Sequence, residues 1–556
     1  MITPLPATFV DPPRDYSLAP FWFWNDDLDA DELRRQIDDF HDHGVYAFVI
    51  HPRVGLPRSL PFMGDALLSF MRVAVEHAAT RGMWVILYDE GMYPSGAAAG
   101  RVVAEDPAYA CRGLIKQPLI NGRTPTLGDN QHLVTTGQDT DGRFAIIDLP
   151  INSWVRGLHY EDHNAPRAAD RGRRFEPGAP MSPPIVPETR PPAADLLNPD
   201  AMAAFVRIVY DGYAAALGEH FGSTIRAIFT DEPMVLGRGG TSGAKPGSAA
   251  TLPHVNKWFG RDVTRELPLL WKDTPEAQRF ANDYDRAIKA RLEQTYYQPL
   301  HDWCQVHGLN LTGHPHHPDD LGIERYFHWP GQDVIWHEVR PGESALHGRP
   351  STQAKVAASA KAHDHRTRNA NEYMGAYGHS VNWTQLRWVT DWLLIRGCDL
   401  LIPHAFFYSI RGPRINECPP QLGPHGKFWD GFKHYADACR RLCYLNATGR
   451  PVVKTAVLAL SDCCPHQSPA AMFKSQIDFH YLDHAQLINA EVDDHGVRLA
   501  GFHYQALVIE QLPKALDDCP RLRKLATLGR LIVWQPGMWS EAWPHAVHVR
   551  TPGDIS

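Results

Sequence analysis

In AIFTDEPM, residues 227–234, an apolar run meets two adjacent acids, Asp231 and Glu232, and is stopped by Pro233. A further acid, Glu372, follows Asn371 in RNANEYMGAYG, residues 368–378. A carboxyl group fixed at the end of a buried strand is only partly solvated, which raises its pKa toward neutrality and makes it a usable general acid or base. Hydrolysis of a glycosidic bond needs two such groups, one to protonate the leaving oxygen and one to act from the opposite face of the sugar ring. Glu232 and Glu372 are the candidate pair, with Asp231 and Asn371 placed to orient the sugar or tune the acids.

Other apolar runs end in the same way. Trp24 closes FWFW, His51 follows VYAFVI, and Asp89 and Glu90 follow MWVILY with Tyr93 just beyond. His314 ends LNLTGH, Tyr377 lies past Glu372, and His404 follows DLLIP. These ten residues, from Trp24 through Asp231, Asn371 and His404, form the candidate substrate-binding set around the two glutamates. Aromatic faces stack on sugar C–H surfaces, although aromatics are also ordinary core residues. The stretch GHPHHPDD, residues 313–320, is rich in histidine, but prolines break it and no helical i, i+4 pair forms, so no catalytic metal is assigned to it.

Residues at strand ends need a fold that gathers strand ends. Helical patterns with Leu33, Ile37 and Phe40, then Leu68, Met71 and Val75, on one face end at Gly44 and Gly82, and Asp29 with Glu32 has the form of a capping box. Each helix gives way to a short run without polar alternation, as strands buried on both faces require. The alternation continues through 225–233, 309–316, a weaker run at 326–338, 367–378 and 399–410, with helices over 199–220, 277–305, 351–364 and 381–396. Eight strands in this order predict an α/β fold, a (β/α)8 TIM barrel over residues 1–450, whose strand C-termini face the active site. Residues about 101–195 interrupt the rhythm and are expected to form an inserted β-rich subdomain. A small α/β domain is expected over 451–556, where AVLAL, ALVIE and LIVWQ read as central parallel strands without a glycine-rich phosphate loop.

Composition narrows the partners. The 556 residues, 44% of them hydrophobic, can bury a large core. Fifty-five basic against 63 acidic side chains leave a net charge of −8 without a basic stripe, so nucleic acid is not an expected partner. No stretch has the length of a membrane span, and the N-terminus lacks the charged and apolar regions of an export signal. The nine cysteines, an odd number without CxxC pairs, are expected to be reduced thiols of a cytoplasmic protein.

With PFWFWN (20–25), VIHPRVGL (49–56), LYDEGMYPSG (87–96), DLLNPDAM (195–202), IFTDEP (228–233), NEYMGAYG (371–378), DWLLIRGCDLLIPHAFFYSIRGPR (391–414) and ECPP (417–420) in view, the chain resembles the α-L-rhamnosidase-like enzymes of glycoside hydrolase family 106 over most of residues 15–450. The resemblance implies an inverting glycosidase whose glutamate pair falls on Glu232 and Glu372, an oligosaccharide or glycoside substrate, and a Ca2+ ion near the site whose ligands are not assigned. Tyr93 stands where the family pattern has tryptophan. The segment 452–551 resembles the flavodoxin-like domain that follows the barrel in several glycosidase families. A galactoside, an arabinoside or a uronic-acid glycan fits the same mechanism, and an inactive carbohydrate-binding barrel would lack one of the two glutamates.

Overall fold

A computed structural model describes residues 6–119, 123–140, 142–159, 190–510, 516, 519–534, 543 and 545–549. Residues 160–189 of the expected insertion lie outside them. The fold is mixed α/β with parallel sheets. Its first strands are β1 (Phe21–Trp24), β2 (Ala47–Pro52) and β3 (Trp84–Tyr88), and every residue of the three is buried. Strands covered on both faces have no polar alternation to display, which explains their uniform composition.

The helix Ala30–Asp42 between β1 and β2 is capped by Asp29, whose side chain accepts from the backbone N–H of Asp31 and Glu32. Glu32 does not close the expected capping box, because Arg35 and Gln36 take its carboxylate. Leu33, Ile37 and Phe40 are buried as expected, joined by Gln36, which accepts from the Trp22 indole. On the next helix, Asp65–Thr80, Leu67 rather than Leu68 is buried beside Met71 and Val75. Gly44 and Gly82 follow the two helices at φ +78° and +63°, where a β-carbon would be strained.

An antiparallel sheet is built from β4 (Arg112–Pro118), β5 (His132–Asp139) and β6 (Gly142–Pro150). After β7 (Ile225–Asp231) the chain returns to it with β8 (Lys245–Pro246), so this sheet draws on two connections rather than one. Four strands follow: β9 (Asn310–His314), β10 (Gly331–Val334), β11 (Ala370–Tyr373) and β12 (Leu400–Pro403), with the two-residue β13 (Phe406–Phe407). Hydrogen bonding orders them as β13-β1-β2-β3-β7-β9 and β10-β11-β12, with every neighbour parallel. A parallel bridge joins Thr312 of β9 to Trp329 just before β10, and Ala19 N–H donates to Leu401 of β12.

The C-terminal unit holds β14 (Thr455–Ala459), β15 (Phe479–Asp483), a meander of β16 (Glu491–Asp493), β17 (Gly496–Leu499) and β18 (Phe502–Tyr504), then β19 (Ala506–Ile509), β20 (Leu531–Trp534) and β21 (Val547–Val549). Its parallel sheet runs β15-β14-β19-β20-β21. It packs on the helix Gln353–His363 between β10 and β11: Lys355 pairs with Asp478 at 2.7 Å, Tyr481 N–H donates to Ser359, and His363 meets the Tyr504 hydroxyl at 2.7 Å. Cover on both sides is why residues 353–360 of this helix are all buried. No disulfide joins any of the nine cysteines, and among the described residues no helix is long and apolar enough to cross a membrane.

Candidate active site

Register pairs four titratable side chains two by two. Asp231 of β7 pairs in register with His314 of β9, and Asp333 of β10 with Glu372 of β11. A small pocket is lined by Asp231, Glu232, Asp333 and Glu372, with Arg53, Tyr93, His404 and Trp336 among its other walls. Consecutive strand residues point to opposite faces, yet Asp231 and Glu232 both reach this pocket. The cause is the backbone of Glu232, at φ +34°, which breaks the alternation as β7 ends. Left-handed backbone costs on the order of 1–3 kcal/mol at a residue with a side chain, and such outliers cluster at functional sites.

The electrostatics follow from burial and mutual repulsion. Burial, then the facing Glu372 carboxylate, keeps the proton on Asp333 well above the ordinary range. Burial pushes Glu372 up to about 7, against the pull of the neighbouring His314. His314 Nε2 lies 3.3 Å from Asp231 and 3.4 Å from Glu372, at ion-pair distances without hydrogen-bond geometry to either. Burial alone would discharge this imidazole, but the two carboxylates win and raise its pKa well above 6.5. The Tyr88 hydroxyl fixes Asp231 from behind at 2.5 Å. Glu232 is partly open, 24% exposed and 3.6 Å from His316.

The expected substrate set divides. Tyr93, Asp231 and His404 line the pocket with the glutamate pair, and His314 touches two of its acids. Trp24, His51, Asp89, Glu90, Asn371 and Tyr377 do not line it, each for a local reason. Trp24 packs edge-on against Trp22, and His51 stacks on the Tyr88 ring at 3.8 Å. Asp89 accepts from Ser95 and from Tyr210, and Asn371 donates to Asn369. The Tyr377 hydroxyl donates to the Val339 carbonyl. Glu90 accepts from the backbone N–H of Gly91, Gly96, Ala97, Ala98 and Ala99, so it holds the loop that presents Tyr93.

Sequence reasoning missed Asp333, which sits in the short GQDV strand with little apolar signal around it. It also missed Arg156 and Glu417, which meet at 2.9 Å from loops 261 residues apart. The one usable signal was the ECPP stretch that holds Glu417.

Among the described residues, Asp231, His314 and Glu372 are the one group of acids and histidines whose ligand atoms converge, within 4.8 Å of one another. They do not fit calcium, which takes six to eight oxygen ligands, because one of the three is an imidazole already set between the two carboxylates.

No protein-family profile matches the chain, and no curated protein does. Solved structures do. A rhamnosidase from Novosphingobium sp. PP1Y superposes with a TM-score of 0.68 at 13% identity, over 99% of this chain and 74% of that one. A β-galactosidase from the psychrophilic Marinomonas ef1 gives 0.54 at 12%, over 95% and 77%. A cold-adapted β-galactosidase from Rahnella sp. R3 gives 0.52 at 11%, over 93% and 72%. At such identities the likeness is one of fold: the mixed α/β architecture here is shared with glycoside hydrolases.

Proposed function

We propose that this protein is a glycoside hydrolase in which Glu232 and Glu372 are the acid and base of an inverting reaction. The observation that carries the reading is that two glutamates, one just past β7 and one in β11, line one pocket, with Asp231 and Asp333 beside them. Glu232, at the open side, protonates the leaving oxygen. Glu372 takes a proton from the attacking water, and a pKa near 7 suits a base working at neutral pH. His314, set between Asp231 and Glu372, holds Glu372 in place. The substrate class is a terminal α-L-rhamnoside or a related deoxy sugar, a reading supported by likeness to a rhamnosidase across nearly the whole chain.

The same proposal includes the architecture. Residues 1–450 form a (β/α)8 barrel in which β1, β2, β3, β7, β9, β10, β11 and β12 close a ring; the Thr312–Trp329 bridge and the Ala19–Leu401 hydrogen bond support this. Residues about 101–195 are its β-rich insertion. Residues 451–556 are a flavodoxin-like unit, for which the parallel strand order 2-1-3-4-5 speaks. Nine cysteines without a disulfide favour a cytoplasmic setting. A panel of aryl glycosides, read with and without chelator and with the product anomer followed by NMR, tests the function. Hydrolysis of the rhamnoside with inversion supports it, retention removes the mechanism, and no hydrolysis of any member removes the glycosidase.

A further inference from the structure

The pocket wall away from the acids carries an incompletely satisfied cation. Arg53 follows β2, lines the pocket and is 2% exposed. A buried guanidinium needs a counter-charge and acceptors for its five N–H groups. Its Nη2 reaches Glu417 Oε1 only at 3.4 Å, its Nη1 reaches His51 Nε2 at 3.4 Å, and its Nε has no acceptor among the described residues. Both distances exceed an ordinary N–H···O bond. The Glu417 oxygen is held more closely by Arg156, at 2.9 Å. His51 adds no negative charge: burial keeps its imidazole neutral, and its Nδ1 is engaged by the Pro52 carbonyl at 2.6 Å.

Tyr93 gathers further positive charge. The guanidinium carbons of Arg53, Arg156 and Arg238 lie 5.7, 5.3 and 5.2 Å from its ring centroid, and Arg156 donates to its hydroxyl at 3.0 Å. Along the strand order β2-β3-β7-β9-β10, Arg53 is four places from Asp333. The pocket is therefore polarised, with carboxylates on one arc and arginine on the other. The Phe23 ring, 4.3 Å from the Arg53 guanidinium carbon, faces the ion but gives Nε no acceptor, and a neutral sugar would add no charge to match it.

We infer that the pocket recognises a carboxylate on its substrate, bound by the Nε–Nη2 edge of Arg53, with Arg156 and Tyr93 acting as positioning residues for that edge. The fork of N–H groups matches a planar carboxylate in two parallel bonds. The ligand class is a uronic acid, either the sugar that is cleaved or the one joined to it. This inference deepens the glycosidase reading and rests on it.

The test compares matched pairs. 4-Nitrophenyl glucuronide against glucoside, and galacturonide against galactoside, place the carboxylate on the cleaved sugar; rhamnosyl-glucuronate against rhamnosyl-glucose places it on the neighbour. For the pair that is turned over, wild type should favour the acidic member in kcat/KM by about tenfold or more, the scale of a charged hydrogen-bonded pair. Arg53→Gln should remove most of that preference through KM, and Arg53→Lys should restore part of it. Equal use of both members by the wild type, or equal losses on both in Arg53→Gln, overturns the inference while leaving the glycosidase standing. If no substrate is cleaved, the glycosidase reading fails and calorimetric titration decides the rest. Glucuronate or galacturonate binding that is weakened in Arg53→Gln upholds carboxylate recognition, and no binding to the wild type overturns it.

Discussion

His314 Nε2 stands between two carboxylates from different strands, 3.3 Å from Asp231 Oδ1 and 3.4 Å from Glu372 Oε2. Its positive charge pulls the pKa of Glu372 down against burial. Removing that charge in His314→Gln should raise the Glu372 pKa. A base works deprotonated, so its activity is lost below its pKa, and a higher pKa extends the loss upward in pH. The acidic limb of the kcat/KM profile, near pH 7 in wild type, should move alkaline by about one unit, equivalent to about 1.4 kcal/mol. An unmoved limb in a folded variant would show that Glu372 is not the titrating base.

The two glutamates are separable by leaving group. On a 2,4-dinitrophenyl glycoside, whose aglycone departs without protonation, Glu232→Ala should lose little activity. Glu372→Ala should lose about 10²–10⁴-fold, because water stays unactivated. The opposite pattern in steady-state rates would exchange the roles, and indifference to both changes would remove the pair.

Glu90 is a stability residue. Glu90→Ala leaves the N–H groups of Gly91, Gly96, Ala97, Ala98 and Ala99 without their shared acceptor. Glu90→Gln fares little better, since an amide NH2 would face donors. Either change should cost on the order of 3–5 kcal/mol, read as a lower urea midpoint. A wild-type midpoint would mean that the loop finds other partners.

Asp89 sets a pH dependence. Burial raises its pKa to about 8, outweighing its hydrogen bonds from Ser95 and Tyr210. A carboxyl group whose folded pKa exceeds its unfolded value favours folding fully below the unfolded value, near 4, and loses that contribution as pH rises through 8. Burial likewise lifts Glu90 to about 7 and Asp195 to about 6. Tm should therefore fall between pH 5 and about 8. Asp89→Asn, which keeps a neutral polar group of the same size, should flatten that fall by about 2 °C or more. An unchanged slope would show Asp89 to be ionised in the folded protein.

Burial on both faces made the central strands readable, because FWFW, VYAFVI and MWVILY have no solvent side to encode. The helices between them were readable from Gly44 and Gly82, whose positive φ only glycine meets cheaply. Which way a strand-end residue faces was not readable. Asp89 and Asp231 look alike in sequence, yet Asp89 bonds to Tyr210 and Asp231 enters the pocket. Glu232 joins its neighbour there through a backbone φ that no side-chain pattern announces. Asp333 was hidden by the shortness of its strand, and the Arg156–Glu417 contact by the length of chain between its partners.

The helix Gln353–His363 is clamped from behind by groups that lie more than a hundred residues further along. A ribosome delivers this helix bare, at about 5–20 residues per second, and the chain must lengthen well past Tyr504 before its cover arrives. Until then nothing on that side steadies the connection between the strands of Asp333 and Glu372. A chain cut short before Asp478 would carry Glu232 and Glu372 in its sequence without the packing that backs the connection between the strands of Asp333 and Glu372.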